Sequence, residues 1–385
     1  MLDIRNSYIL KLALLSHIRG DTYGGAERVF SDMAKLLYER GFDEVLCCFA
    51  TSYDEQRDEL CLKSHGIKII NTGKNLERFF DNKYSKSRSL LGFYHSTQLK
   101  KLIQELQPAL VFVAHEAFKP LEMINSKEKY RLIHYVHNPY EFVPDPSESI
   151  PPLLSFFTRR YIIKENDFSN IVLANSRSTR NECIRRWGRN DCIVLYPPIK
   201  MDEISFSSFK EDVCIVLSRI SPEKRIELAI EVFRSKILQD KQLTIIGYVS
   251  RENRHYYQRL LQLSKERDNV KILPNLRRKE VLTHLSKAKV LFHPMPNEHF
   301  GIAVVEAMAS GCLPVVHASG GPLEVVENGL YGLVYREAYE LPELLNYAFN
   351  SSRNFQYKVR NRALQFDIKY FSDKFISLIN RIRCY

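Results

Sequence analysis

Short apolar runs alternate with amphipathic helical patterns along the first half of the chain. The first run is Tyr8–Leu15. Comparable runs follow at 45–50, 67–70, 109–114, 132–136, 171–174 and 192–195, and the helical patterns between them are clearest at 26–38, 94–106, 153–166 and 177–187. Runs that are apolar throughout are typical of strands buried on both faces, and strands separated by helices pair in parallel. The pattern predicts an α/β fold built on a doubly wound parallel sheet.

The same pattern recurs after a polar stretch at Lys200–Glu211, which is typical of a linker between domains. Apolar runs lie at 213–217, 242–247, 270–273, 289–293 and 315–317, and helical patterns at 226–237, 253–266, 278–287, 340–349 and 356–382. A chain of 385 residues exceeds the length at which a single core keeps growing. We predict an N-terminal Rossmann-like domain over 1–198, a C-terminal one over 199–365, and a terminal helix over 366–385. Whether that helix packs back on the N-terminal domain is left open.

Composition narrows the class of protein. With 45% apolar and 26% charged residues the chain is globular, and no run reaches the ~18 apolar residues of a membrane-spanning helix. Met1–Leu15 contains three charged residues and is predicted to be a strand rather than a signal peptide. The eight cysteines include no C-x-x-C pair, so we expect reduced thiols in a cytoplasmic protein and no metal site.

The net charge of +11 has two interpretations. The basic residues either form an ordinary solvated surface or attract anionic lipid headgroups or a lipid phosphate. No motif typical of nucleic-acid binding occurs, so no nucleic-acid partner is expected.

Two predicted strand–loop–helix units are suited to anions. Gly24 and Gly25 lie between the first strand and the first helix, where backbone N–H groups at a helix N-terminus can receive phosphate. They do not form G-x-G-x-x-G, so the dinucleotide fingerprint is absent. After the run at 213–217, Arg219 offers a planar fork and Lys224 a point charge. Taken alone, two adjacent glycines more often form a turn than a ligand site, and Arg219 with Lys224 is equally compatible with two surface cations at a loop.

Two carboxylates lie in the stretch 297–316. Glu298 falls in a short loop and Glu306 on a predicted helix, too far apart in sequence for one helical i, i+4 pair. They converge if the chain turns sharply at Gly301, and such a pair suits a ligand with many hydroxyls, such as a sugar nucleotide. His115 and His137 each follow a predicted strand directly, at the edge where open α/β sheets bind ligands, although a lone histidine is more often structural.

In this order, the glycine loop, the Arg219 and Lys224 loop, and the run from Glu298 to Glu306 resemble glycosyltransferase family 4 and its E-x7-E signature. Ser319–Val326 matches the segment that follows the signature in that family. The resemblance covers nearly the whole chain and is most specific over 213–335. It implies the GT-B architecture, in which two Rossmann-like domains with doubly wound parallel sheets face each other across a cleft. It also implies a retaining, metal-independent hexosyltransferase without a cofactor.

The resemblance assigns roles by position. Glu298 would bind hydroxyls of the transferred sugar, and Glu306 the ribose of the nucleotide. Arg219 and Lys224 would hold the diphosphate. His137 would be the catalytic histidine of the N-terminal domain, acting with Glu298, and His115 matches a less certain position.

Backbone groups complete the implied donor site. Phe300, Gly301 and Ile302 would offer backbone donors around the sugar and phosphates. Gly24 and Gly25 would line the opposite wall.

A finer resemblance concerns the acceptor. Tyr135–Pro139, Asn175–Thr179 and Leu195–Pro198 are similar to the mannosyltransferases of the dolichol pathway, which build lipid-linked oligosaccharides. This implies GDP-mannose or a UDP-sugar as donor, a polyprenyl-diphosphate-linked or other glycan as acceptor, and peripheral contact, if any, with an anionic membrane at its cytoplasmic face. Thr72–Leu91 is a candidate acceptor loop. Two other functions stay open: a nucleotide-sugar epimerase or hydrolase on this scaffold, and a degenerate sugar-nucleotide or glycan-binding protein.

Overall fold

The structure is a computed structural model that describes residues 12–17, 24–51, 53, 60–72, 85–114, 131–137, 170–265 and 267–383. The chain divides into two compact units. The first comprises the described parts of 1–175 and 180–194 with residues 381–383, and the second comprises 176–179 and 195–380. The domain boundaries proposed at 198 and 365 stay predictions. His115, the helix at 153–166 and most of the loop at 72–91 lie outside the described residues.

In the described part of the first unit, seven strands form one parallel sheet in the order β3-β2-β1-β4-β5-β6-β7. Helices connect several of them, because parallel strands need crossover connections. The strands are β1 Leu12–His17, β2 Glu44–Phe49, β3 Lys68–Asn71, β4 Leu110–Ala114, β5 Arg131–Val136, β6 Asn170–Ala174 and β7 Ile193–Val194, and the helices are Gly25–Glu39, Ser85–Leu106 and Arg177–Trp187.

In the described part of the second unit, six strands form a parallel sheet in the order β10-β9-β8-β11-β12-β13. The strands are β8 Glu211–Leu217, β9 Gln242–Gly247, β10 Val270–Pro274, β11 Ala288–His293, β12 Leu313–His317 and β13 Leu333–Tyr335. The helices are Ile226–Val232, Arg254–Ser264, Arg278–Lys287, Ile302–Ala309, Gly320–Val325, Leu341–Phe349, Arg353–Ala363 and Ile368–Arg383. The two parallel-sheet, Rossmann-like units confirm the predicted fold class.

The long helical pattern at 356–382 is the clearest difference from the sequence prediction. It is two α-helices, Arg353–Ala363 and Ile368–Arg383, because residues 364–366 tighten into a 3-10 helix and Asp367 leaves helical geometry with ψ +144°. Ile199 N donates to Phe366 O at 3.1 Å, and Ile368 N donates to Ile199 O at 2.9 Å. The break is therefore held by a tertiary backbone pairing that apolar periodicity does not reveal.

The apolar core of the second unit determines where its polar side chains lie. Residues 213–217 of β8 and 290–292 of β11 are apolar on both faces, and helix Ile302–Ala309 buries Val304, Val305, Ala307 and Met308 against the sheet. Polar side chains therefore lie at the strand ends and in the loops.

Among the helices of the described residues, none combines the length and the apolar character that a membrane-spanning segment needs.

Candidate functional site

The sheet of the second unit has a topological switch point between β8 and β11. These strands are neighbours, yet the next strands along the chain, β9 and β12, lie on opposite sides of them. Connections leaving the carboxyl ends of β8 and β11 therefore diverge, and the crevice between them is where open α/β sheets bind ligands. Residues 218–225 follow β8, and residues 294–301 follow β11. The two stretches that the sequence singled out in this half thus meet at one edge of the sheet.

Lys224 and Glu298 form an ion pair at this switch point. Lys224 Nζ donates a short hydrogen bond to Glu298 Oε2 and lies 3.1 Å from Met295 Sδ. The side chains of Lys224 and Glu298 are only 11% and 17% exposed. Such burial excludes most water, so the attraction between the two charges is stronger than in a surface pair.

The charge state of Glu298 follows from its surroundings. Burial alone would raise the pKa of its carboxyl group, but the positive charge of Lys224, aided by His293, lowers that pKa to about 2. Burial lowers the pKa of His293 to about 4, and its Nε2 lies 3.7 Å from Glu298 Oε2. At neutral pH Glu298 is therefore an ionised hydrogen-bond acceptor beside a neutral imidazole. A carboxylate in this state is suited to hydroxyl groups and unsuited to donating a proton.

Backbone packing fixes the loop that carries Glu298. Gly321 N donates to Glu298 O at 2.7 Å, and Ser176 Oγ donates to His299 O at 2.6 Å. A Cβ on Gly320 would lie 2.3 Å from Glu298 O, and one on Gly321 would lie 2.3 Å from His299 O. Side chains at these two positions would push the loop away. The Gly-Gly pair is thus required by close backbone contact.

Phe300 and Gly301 lie directly before helix Ile302–Ala309. The Phe300 ring is buried and packs against Tyr196 at a centroid distance of 5.8 Å, which anchors the loop to the core. Gly301 precedes the helix with φ +88°, a conformation that favours glycine, and its carbonyl accepts from Val304 N at 2.9 Å. The first amides of the helix carry partial positive charge, which suits an anion. That the backbone of 300–302 contacts a donor stays a prediction.

Glu306 has a partner that the sequence did not suggest. Arg278 Nη2 lies 2.8 Å from Glu306 Oε1, and the Glu306 side chain is nearly buried. Arg278 is the first residue of helix Arg278–Lys287. The two carboxylates of the E-x7-E stretch thus take different cationic partners.

Arg219 differs from Lys224 in its setting. Its side chain is mostly exposed, and its Nη2 lies 3.5 Å from Glu223 Oε1. An exposed pair of this kind is weak and easily exchanged. Arg219 can therefore turn to a phosphate at small cost, and its predicted diphosphate role stays a prediction.

The predicted residues of the first unit lie at the start of a helix and at the end of a strand. Gly24 precedes helix Gly25–Glu39, which follows β1 in the chain. His137 follows β5 directly and is buried, with its ring centroid 4.8 Å from that of Tyr135. Asn175 Nδ2 donates to His137 O at 3.1 Å, which fixes the backbone of this histidine. The roles of Gly24, Gly25 and His137 stay predictions.

Sequence reasoning missed three residues of the second unit. Arg278 lies in the basic stretch Arg277–Lys279, and nothing in its sequence neighbours points to Glu306. Ser176 was noted only within a motif, without its bond to the Glu298 loop. His293 carried a usable signal, since it is a polar residue at the end of an apolar parallel strand.

Two family models match the chain, one to each half. The model described as Glycosyltransferase Family 4 matches residues 23–203, and the model described as Glycosyl transferases group 1 matches residues 200–363. Between them the matches span residues 23–363, and with the two parallel-sheet units they identify one glycosyltransferase domain in each half of a chain of GT-B fold.

Curated relatives and solved structures agree with this assignment. The chain is 27% identical over 252 residues to the GDP-Man:Man(3)GlcNAc(2)-PP-Dol alpha-1,2-mannosyltransferase of Dictyostelium discoideum, covering 58% of this chain and 50% of the relative. It is 28% identical over 229 residues to the enzyme of the same name from Mus musculus, covering 54% of this chain and 46% of the relative. The chain spans about half the length of these relatives.

The solved structures share the fold at low sequence identity. Sucrose-phosphate synthase from Thermosynechococcus elongatus superposes with a TM-score of 0.79 at 16% identity, covering 97% of this chain and 99% of that one. HepE from Anabaena, in complex with UDP and glucose, gives a TM-score of 0.74 at 19% identity, covering 96% of this chain and 100% of that one. These likenesses show the fold alone.

Proposed function

We propose that the chain is a retaining mannosyltransferase that moves mannose from GDP-mannose to a lipid-linked oligosaccharide, without a metal ion. The observation that carries the proposal is the ionised Glu298 held by Lys224 at the switch point of the second unit. The names of the curated relatives supply the donor and the acceptor class. Because the relatives match over only part of their length, the substrates are inferred by analogy.

Sugar recognition follows from the charge of Glu298. An ionised carboxylate can accept about four hydrogen bonds, and Lys224 uses only part of this capacity. Hydroxyl groups of a hexose can donate to the remaining positions. The carboxylate stays ionised over the whole physiological range because its pKa is about 2, so it binds the sugar in one charge state.

Departure of the nucleoside diphosphate is the step that needs positive charge. As the bond between the sugar and the β-phosphate breaks, negative charge builds up on a phosphate oxygen. Lys224 offers an ammonium group with three N–H donors, Arg219 adds a second cation, and helix Ile302–Ala309 begins at the same loop. Preorganised groups of this kind stabilise the leaving group where other transferases use a divalent cation.

Metal independence remains part of the proposal. Among the described residues no cluster of three or more His, Cys, Asp and Glu side chains is placed to hold a metal ion. The cationic leaving-group site is the positive argument for the proposal, and EDTA treatment is its test.

The acceptor side is assigned by analogy. His137 is proposed as the catalytic histidine, with Glu298 holding the donor sugar rather than acting as a nucleophile. A polyprenyl-diphosphate carries negative charge and partitions to a membrane, and the net charge of +11 favours peripheral contact with anionic lipid at the cytoplasmic face.

The test is a transfer assay with purified protein. A panel of sugar nucleotides is screened for thermal stabilisation, and the best donor is then incubated with a dolichyl-diphosphate-linked oligosaccharide. Wild type should select one nucleotide class and extend the acceptor by one sugar. Glu298→Ala and Lys224→Ala should lose transfer while staying folded, whereas the exposed controls Lys236→Ala and Glu343→Ala should keep it. Donor consumption without extension would favour a hydrolase or an epimerase, and a flat screen would favour a degenerate binder.

A further inference from the structure

Arg278 and Glu306 form an ion pair that the donor-binding prediction did not contain. Arg278 Nη2 lies 2.8 Å from Glu306 Oε1, and the two side chains are 33% and 3% exposed. Arg278 begins the helix that leads into β11, and Glu306 lies on the helix that follows β11. The ion pair therefore links the helix that precedes β11 to the helix that follows it. Glu298 lies in the loop between β11 and the second of these helices.

The pairing controls how the Glu306 carboxylate is presented. A carboxylate this deeply buried needs a cationic partner, because an isolated buried charge is costly. The guanidinium group of Arg278 is planar and directs its N–H groups in fixed directions, so it restrains the orientation of the carboxylate more than an ammonium group does. An ionised carboxylate can accept about four hydrogen bonds, so the contact with Arg278 alone does not use up the capacity of Glu306.

We propose that Arg278 is a positioning residue for nucleotide binding, which holds the Glu306 carboxylate in the orientation that accepts the ribose hydroxyls of the donor. The inference rests on the proposed function and on the predicted role of Glu306 in binding the ribose of the donor. Arg278 acts through Glu306, so its loss affects recognition of the ribose hydroxyls in particular. A residue with a purely structural role would weaken the binding of all nucleotides equally.

The test compares two probes, GDP and 2′,3′-dideoxy-GDP, by isothermal titration calorimetry. Hydroxyl groups that donate to a carboxylate contribute strongly, so wild type should bind GDP at least about tenfold more tightly than the dideoxy compound. In Arg278→Gln this preference should fall to about threefold or less, because Glu306 loses its fixed orientation. Arg278→Lys should restore part of the preference. Arg277→Gln, which changes the exposed neighbouring arginine, should keep the wild-type ratio.

A further variant covers the case in which Arg278→Gln does not fold. The double variant Arg278→Gln with Glu306→Gln leaves no unpaired buried charge, and it should bind the two probes within about a factor of two. A preference of about tenfold or more in either variant would overturn the inference, as would a wild type that binds both probes equally. If wild type prefers uridine nucleotides, UDP and 2′,3′-dideoxy-UDP replace the probes. A wild type that binds no nucleoside diphosphate would refute the proposed function itself.

Discussion

Replacing either member of the Lys224–Glu298 ion pair should lower the unfolding free energy of the second unit, and the structure sets the size of the loss. The pKa of Glu298 falls from 4.5 to about 2 on folding, which corresponds to about 3 kcal/mol in favour of the ionised form. Lys224→Met removes the main cause of this shift, and Glu298→Gln leaves the buried ammonium without its charged partner. Each variant should therefore lose about 3 kcal/mol of unfolding free energy at pH 7.

The double variant Lys224→Met with Glu298→Gln removes both charges, so it should lose about 2 kcal/mol less than the sum of the single losses. Urea unfolding, monitored by hydrogen exchange of the β11 amides, measures the unfolding free energy of the second unit alone. Lys289→Met is the control, because Lys289 pairs at 3.1 Å with Asp212, which is 45% exposed, and its loss should cost less than about 1 kcal/mol. Single losses that add up to the double within about 0.5 kcal/mol would refute the reasoning.

Three further outcomes are expected. Gly321→Ala should lose about 2–4 kcal/mol of unfolding free energy and bind the donor more weakly, because its Cβ would lie 2.3 Å from His299 O. The control is Gly188→Ala, whose Cβ would meet only open space at φ +67° and which should lose about 1 kcal/mol. Equal losses in the two variants would contradict the close contact as the cause. The pKa of Glu298, lowered to about 2, predicts that its stabilisation is complete above pH 4.5 and is lost as the pH falls towards 2. The difference in unfolding free energy between wild type and Glu298→Gln should therefore shrink by roughly half between pH 6 and pH 3, and a difference that stays constant would contradict the low pKa. Transfer should persist in EDTA; activity that EDTA abolishes and magnesium restores would contradict the metal-free leaving-group site.

The fold was predictable because parallel strands buried on both faces leave continuous apolar runs. The run at 289–293 and strand Ala288–His293 differ by a single residue, and the run at 242–247 coincides with β9. The sharp turn predicted at Gly301 corresponds to a φ of +88° directly before helix Ile302–Ala309, a conformation that favours glycine. These features are local, so sequence patterns carry them.

Features that depend on tertiary pairing were not predictable. The helix break at 364–367 depends on Ile199, which is more than 160 residues away in the chain. The partners of Glu298 and Glu306 come from separate loops, so the stretch 297–316 could suggest two carboxylates without saying which cation each would take. Arg278 is the sharpest case, because the chain around it is typical of an ordinary basic surface.

The proposed activity is tested most directly by incubating the protein with GDP-mannose and dolichyl-diphosphate-linked Man(3)GlcNAc(2) in the presence of EDTA, with the product read by mass spectrometry. Wild type should add a single mannose, whereas Glu298→Ala and Lys224→Ala should not, although both stay folded. Unchanged turnover in the two variants would show that the Lys224–Glu298 pair does not hold the donor.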